Sequence, residues 1–328
     1  MAKSINIERL EELMLNFHRT FHPELVKRFK EKRSLTQFFK TATAIKDRIV
    51  FSQFEIGEVA QAYQPGWTPK GQLDIIPEEY IIKYMKVDKE IDPNELRQTY
   101  LADVIPGATA EENEIVRLFY KEMMARSAED TDSALIRGKY KAPTIGVPGK
   151  ALEMVDGLLE VTKQFMDKGK ITPFSADNMD ETNTCTVLKD LWKQVPEEYR
   201  NNPKLRCYVF GNTWTNYVDS YEANYGTLHE QQNKKYIRNT QCPLVVLPNG
   251  AGSNMVLFTM EGNIRLFANR PADQFKFEVQ KNKRMLDYMQ DWAAGIGYVI
   301  VGKPEKPESQ YVWCNEFDYL SELEDTDE

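Results

Sequence analysis

At Ile49 the helical period of the chain changes, and from there to Ile91 strand-like stretches flank one long turn, a pattern that limits the folds open to the chain more than any other. Ile49, Phe51 and Phe54 lead into Glu55 to Tyr63. Gln64-Pro65-Gly66-Trp67-Thr68-Pro69-Lys70-Gly71 then supplies two glycines and two prolines, and beyond it Met85, Val87 and Ile91 alternate with Lys86, Asp88 and Glu90. A two-residue period is that of a half-buried strand, and the Pro/Gly cluster is turn chemistry. Residues 49–91 therefore read as one long β-hairpin. A strand of about fifteen residues reaches on the order of 50 Å, further than a domain of about 100 residues is wide. Such a hairpin either projects or folds back on its own domain. If it projects, its apolar face needs a cover from elsewhere, because an isolated two-stranded ribbon is marginal in water.

The elements around the hairpin are of other kinds. Residues 7–33 read as an amphipathic helix, with Leu10, Met14, Phe17 and Phe21 at three- and four-residue spacing, interrupted by Pro23 and short of partners nearby in the chain. Thr109-Ala110-Glu111-Glu112 has the form of a capping box, directly before Ile115, Leu118, Phe119, Met123 and Ala125. The helix it opens runs towards Gly138, about 25 residues or more and about 40 Å long. A loop over 139–149 and a second helix bearing Leu152, Val155, Leu158, Leu159 and Phe165 follow. After Lys170 the pattern is α+β: helices around Leu188 and Tyr217, and short strands at 171–174, 205–210, 244–247, 255–260, 264–267, 275–279, 293–301 and 311–314.

Charge divides the chain by position. The 328 residues, enough for about two compact units, carry 42 basic and 50 acidic side chains, a net of −8. Residues 1–50 alone carry +5, which leaves −13 on the rest, and Glu316 to Glu328 holds seven acids and no base. A basic arm on an acidic body suits a nucleic acid, an acidic partner or an acidic face of another copy of the chain, and equally a solvated helix face. The acidic tail reads as solvated. With 41% hydrophobic residues a disordered chain is excluded. No apolar run approaches the ~18 residues of a membrane span and the N-terminus lacks a signal-peptide core, so neither secretion nor membrane insertion is expected. Cys185, Cys207, Cys242 and Cys314 are too scattered for a zinc knuckle or redox pair, and fit a reducing compartment.

No motif carries an enzyme. His18 and His22 have metal-binding spacing, but Pro23 follows them and no Glu lies between; His229 has no paired nucleophile. Gly250-Ala251-Gly252-Ser253-Asn254 lies between strands and reads as a hairpin turn, not a phosphate cradle, which opens a helix. Asp273 with Glu278, or Asp287 with Asp291, form carboxylate pairs of a kind that arises by chance among 50 acids. The stripe Trp214, Tyr217, Tyr221, Tyr225 is placed to stack bases, yet at helical spacing it reads as core. No catalytic, cofactor or metal residue is assigned.

The order of elements, together with three local stretches, carries a resemblance. Asp156-Gly157-Leu158-Leu159 follows the loop after the long helix. Val195-Pro196-Glu197-Glu198-Tyr199 leads to Leu205 to Phe210, Gly211-Asn212 and the helix bearing Tyr217. Asp287-Tyr288-Met289-Gln290-Asp291-Trp292-Ala293-Ala294-Gly295-Ile296-Gly297-Tyr298 looks like a closing strand-turn-strand. Over roughly residues 10–315 the chain resembles the major capsid proteins of tailed bacteriophages, with the Hong Kong ninety-seven-type fold.

That resemblance implies an N-terminal arm over 1–45 and an extended β-hairpin loop over 46–100. It implies a peripheral domain, holding a long spine helix, over 101–175 and 265–315. An axial domain over 176–264 and an acidic tail over 316–328 complete the division. It implies a non-enzymatic protein of the virion capsid, made and assembled in the bacterial cytoplasm, with no cofactor and no membrane. Many copies would form hexamers and pentamers around double-stranded DNA held without sequence-specific binding, with a scaffolding protein, a portal and decoration proteins as further partners. Lys27, Arg28, Lys30, Lys32 and Arg33 on the arm, and Trp67 and Lys70 at the hairpin tip, are the expected inter-subunit contacts. An arm of only about 45 residues departs from relatives that carry a long, cleaved scaffolding extension; some relatives crosslink a loop lysine to an asparagine of a neighbour, and Lys70 lies at the hairpin tip. The rival readings are an encapsulin-like bacterial nanocompartment shell protein, a carboxylate-dependent hydrolase and a basic-arm DNA-binding protein.

Overall fold

The computed structural model describes residues 7–45, 47–92, 109–226, 235–250, 252–269, 276–303 and 309–317. Helix α1 (Ile7–Lys32) buries Met14, Leu25 and Phe29 against the long helix α2 (Thr109–Arg137). The arm helix thus finds its partners about 100 residues further along the chain. Pro23 does not interrupt it: the proline lies on the exposed side, where water can satisfy the carbonyl freed by its missing N–H. On α2 the buried positions Tyr120, Met124, Ala128, Thr131 and Leu135 recur at helical spacing, and the Tyr120 hydroxyl donates to the Met14 carbonyl at 3.3 Å. The capping-box side chains at the start of α2 lie outside the described residues.

Five strands build the first sheet. β1 (Lys40–Ile45) runs parallel to β8 (Ile264–Asn269), and β8 pairs antiparallel with the second half of β10 (Met285–Tyr298). The first half of β10 pairs with β9 (Lys276–Asn282) on that same edge, and its other edge takes β4 (Lys83–Ile91). Two expectations fail here. The hairpin is not 49–91: it ends at Ile81, and β4 belongs to β10, about 200 residues away. The closing stretch is not strand-turn-strand but one 14-residue strand, whose Gly295 and Gly297 leave room for the rings of Phe267 and Tyr80.

The second sheet is ordered β11 (Val312–Cys314), β7 (Leu257–Met260), β5 (Leu205–Phe210), β6 (Leu244–Leu247). Its strands alternate between two cores. Leu205, Cys207, Val209, Phe258 and Trp313 face a core closed by α4 (Thr184–Gln194) and α6 (Gly211–Tyr225). Tyr208, Phe210, Leu257 and Cys314 join the larger core, shared with α1, α2, α3 (Leu158–Asp167) and the first sheet. Tyr217 and Tyr221 of the aromatic stripe are buried in the smaller core. The expected domain limits are crossed by three strands: β1 from the arm range and β4 from the loop range complete the first sheet, and β11 from the 265–315 range completes the second. The Gly250–Asn254 segment is no hairpin turn either, because β6 and β7 flank β5 on opposite sides and the loop must cross its end. The short helix α5 (Glu197–Arg200) packs Tyr199 against Trp313.

Candidate functional site

The hairpin is formed by β2 (Arg48–Ile56) and β3 (Leu73–Ile81), paired with each other and no other strand. Its two faces are chemically inverted. The face turned towards the body carries Gln53, Glu55, Asp74 and Glu78 besides Ile49, Phe51, Ile76 and Tyr80. The face turned away carries Val50, Phe54, Ile56, Leu73, Ile75 and Ile81, each at least half exposed. Register sets Phe54 opposite Ile75 and Ile56 opposite Leu73, so these four form one contiguous apolar patch towards the tip; nearer the base Val50 and Ile81 share the face with Ser52, Pro77 and the Arg48–Glu79 ion pair at 3.0 Å. A surface strand ordinarily shows the reverse pattern. Six large apolar side chains on one outward ribbon mark an interaction surface.

Ion pairs and one tyrosine fix the ribbon's base. Lys303 Nζ lies 2.6 Å from Asp74 Oδ2 and 2.7 Å from Glu55 Oε2, and the two carboxylates hold its ammonium above the ordinary lysine range. Lys170 pairs with Glu78, both largely covered. Tyr80 accepts the backbone N–H of Tyr298 at 3.0 Å and packs its ring among Phe51, Phe165 and Phe267. Burial pushes the Tyr80 phenol well above its usual range, against the opposing pull of that hydrogen bond. A Cβ on Gly297 would lie 2.3 Å from the Tyr80 ring, so glycine makes this contact possible.

The tip organises itself. Lys70 Nζ donates to the Ala60 carbonyl at 2.7 Å and pairs with Glu58 at 3.0 Å, and Gln61 Nε2 donates to the Thr68 carbonyl at 2.8 Å. Lys70 is thus engaged within its own tip, while Trp67, 93% exposed, and Tyr63, 96% exposed, stand free of the body. Trp67 and Lys70 share the tip; the arm candidates lie on another element. Lys27, Lys30 and Lys32 are exposed on α1, Lys27 in an i,i+4 pair with Glu31, and the Arg28 side chain lies outside the described residues.

Arg33 is a correction. Its guanidinium is buried, with Nε 2.9 Å from Asp132 Oδ1 on α2, and Asp132 also accepts from the Ser34 hydroxyl and the Leu35 N–H. A charge sealed inside the chain by its own counter-ion is a joint between arm and spine, not a contact for a neighbour. Sequence reasoning also missed the outward residues Val50, Ile56, Leu73, Ile75 and Ile81, although Phe54-Glu55-Ile56 and Leu73-Asp74-Ile75 alternate locally. It missed Glu55, Asp74, Glu78, Lys170 and Lys303 for want of any local signal.

Asp287 and Asp291 lie four residues apart on β10, about 13 Å along a strand, beyond the separation at which two carboxylates share a glycosidic bond. Asp273, His229 and the side chains of His18 and His22 lie outside the described residues. Among the described residues no group of His, Cys, Asp and Glu is placed to hold a metal ion, and no helix is long and apolar enough to cross a membrane. All four cysteines are buried, free thiols.

The fold matches solved structures of phage and GTA-particle capsids. A chain of the satellite phage P4 procapsid that includes the size determination (Sid) protein aligns with a TM-score of 0.58 at 12% identity, over 89% of this chain and 90% of that one. The capsid asymmetric unit of cyanophage A-1(L) aligns at 0.51 and 10% identity, over 87% and 92%. The capsid of the native GTA particle aligns at 0.51 and 12% identity, over 88% and 91%. No protein-family model and no curated protein matches the sequence. The chain has the α+β Hong Kong ninety-seven-type fold of phage capsid proteins.

Proposed function

We propose that this chain is a major capsid protein that self-assembles into the icosahedral head shell of a tailed double-stranded DNA bacteriophage or prophage. One observation of the molecule carries the proposal: a ribbon held firmly at its base whose outward face is largely apolar and, among the described residues, uncovered. A neighbouring copy is the natural cover. Seated on a different patch of the neighbouring copy, the ribbon makes a head-to-tail contact, the kind that closes rings of five or six. Each contact is modest, and many of them together make a stable shell.

In this reading the first sheet with α1 to α3 is the peripheral domain and the second sheet with α4 to α6 the axial domain, with β1, β4 and β11 reassigned by their pairing. Lys27, Lys30, Lys32 and Trp67 are the contact residues retained from the sequence, and the outward hairpin face joins them. The acidic body suits a container that holds DNA without gripping it. A separate scaffolding protein, a portal and decoration proteins are the further partners, the virion is the destination, and the bacterial cytoplasm is the place of assembly. Electron microscopy of the purified chain, alone and with the scaffold encoded beside it, tests the proposal. Closed shells of uniform size are expected. A chain that stays monomeric at high concentration with scaffold supplied would refute it.

A further inference from the structure

The loop between α2 and α3, residues 139–150, is exposed at every position. Its root is tied down: the Lys139 N–H donates to the Leu152 carbonyl at 2.9 Å, the Lys141 N–H to the Glu153 carbonyl at 3.1 Å and the Tyr140 N–H to Asp156 Oδ1 at 2.9 Å. Lys83 Nζ, at the start of β4, lies 3.7 Å from the centre of the Tyr140 ring. The tip is a turn over Thr144 to Val147, closed by the Val147 N–H on the Thr144 carbonyl at 3.1 Å, with Gly146 at φ +82° in the position where a type II turn takes glycine. Pro143 and Pro148 flank it and restrict the backbone on either side. The turn sets Ile145 fully, and Val147 63%, into water. A twelve-residue loop, fixed at its root, that buries none of its own side chains and holds out two aliphatic ones is of the kind that carries function.

The ribbon of another copy matches this loop in two respects. Among the described residues, Ile145 and Val147 are the largely exposed Val, Leu or Ile side chains that lie outside the ribbon, so they offer the aliphatic surface that the Phe54/Ile56/Leu73/Ile75 patch lacks in its own chain. Charge agrees with this: residues 139–150 carry three lysines and no acid, whereas residues 48–81 carry five acids and two bases. Glu58, two residues beyond Ile56, is itself largely exposed. Within one chain the two surfaces are held apart. Ile75 lies six residues out along β3 from Ile81, about 20 Å, while the loop is rooted beside Lys83 at the ribbon's base.

We infer that the loop 139–150 is the seat of a neighbouring copy's ribbon, with Ile145 and Val147 on the Phe54/Ile56/Leu73/Ile75 patch and the loop lysines facing Glu58. The inference rests on the proposed shell and names the surface that receives the ribbon there. Each chain then gives its ribbon to one neighbour and its loop to another, which is the head-to-tail arrangement a ring requires.

Assembly thresholds of full-length chains test it as a double-mutant cycle, with Ile145→Ser/Val147→Ser, Phe54→Ser/Ile75→Ser and all four substitutions together. The loop variant should raise the threshold about tenfold or more while the monomer keeps its urea midpoint, because neither side chain is buried in the single chain. If loop and ribbon share one contact, the fourfold variant should need no more protein than the worse of the two doubles. Thresholds that multiply would put loop and ribbon in separate contacts and overturn the inference, as would a loop variant that assembles like the parent. The four native cysteines are buried, so shells mixed from Ile145→Cys and Ile75→Cys chains and oxidised in air with a copper catalyst should yield disulfide-linked dimers that shells of either variant alone do not. Mixed shells without such dimers would overturn the inference too. A parent chain that forms no shells would refute the proposed function itself; parent shells with multiplying thresholds would refute this seat alone.

Discussion

Replacing the opposed outward pair by Phe54→Ser/Ile75→Ser separates what holds the chain together from what holds copies together. Phe54 is 63% and Ile75 57% exposed, so most of each side chain contributes nothing to the single chain. Full burial of such a side chain stabilises by ~1.5–3 kcal/mol. Scaled by the exposed fractions, covering the pair is worth about 2 to 3.5 kcal/mol for each hairpin seated on a neighbour. Each subunit has one hairpin, so the threshold concentration for assembly should rise by about 30- to 400-fold at 1.36 kcal/mol per decade. Light scattering against protein concentration, with electron microscopy of the plateau samples, reads that threshold. The monomer should keep its denaturant midpoint to within about 0.5 kcal/mol, as for ordinary surface substitutions. An unchanged threshold would refute the assignment of this face. A large loss of monomer stability would refute it differently, by showing that the face is covered within the chain.

Asp132→Ala leaves the Arg33 guanidinium buried without its counter-ion and deprives Ser34 and Leu35 of their acceptor; a loss of about 3–5 kcal/mol is expected from urea unfolding. Gly297→Ala drives a methyl into the Tyr80 ring, and a cost of about 1–3 kcal/mol, with faster amide exchange along β3, should follow. Stability should fall steadily above about pH 9. Burial raises the thiols of Cys185, Cys207, Cys242 and Cys314 and the phenols of Tyr120, Tyr208 and Tyr288, with Cys242 and Tyr208 both pushed up to about 12. Such groups favour the folded state fully below their unfolded values, and that favour is lost as pH climbs towards the folded ones. A urea midpoint that is flat from pH 8 to 11 would contradict this.

What the sequence disclosed follows from the range over which each cause acts. The spine helix is legible because its period repeats within the helix, and the ribbon's strands are legible because alternation is local. The point where the ribbon stops is not, since no Pro or Gly separates Ile81 from Lys83; only pairing with β10 draws β4 away. Pro23 reads as a break, but the side of the helix it occupies decides its effect, and that side is set by α2. Gly295 and Gly297 read as a turn, whereas they are the gaps that two aromatic rings, from Phe267 and Tyr80, require. Arg33 looked like one more basic residue of the arm because Asp132 stands 99 positions away.

The inverted ribbon divides two tasks that a surface strand usually combines. Its inner face is joined to the body through the packed rings of Phe51 and Tyr80 and through charged groups, and ion pairs of this kind add little net stability while fixing geometry closely. Its outer face holds the apolar area from which association free energy comes. Orientation and affinity therefore reside on opposite faces of the same two strands, and substitutions can address them separately. Lys303→Met should alter the angle of the ribbon, and with it the curvature or closure of whatever assembles, while leaving the outer contact area intact. Phe54→Ser/Ile75→Ser should weaken association while leaving the angle alone. If Lys303→Met instead raised the assembly threshold with particles of unchanged size and shape, the base would be contributing affinity, and the division of labour between the two faces would fail.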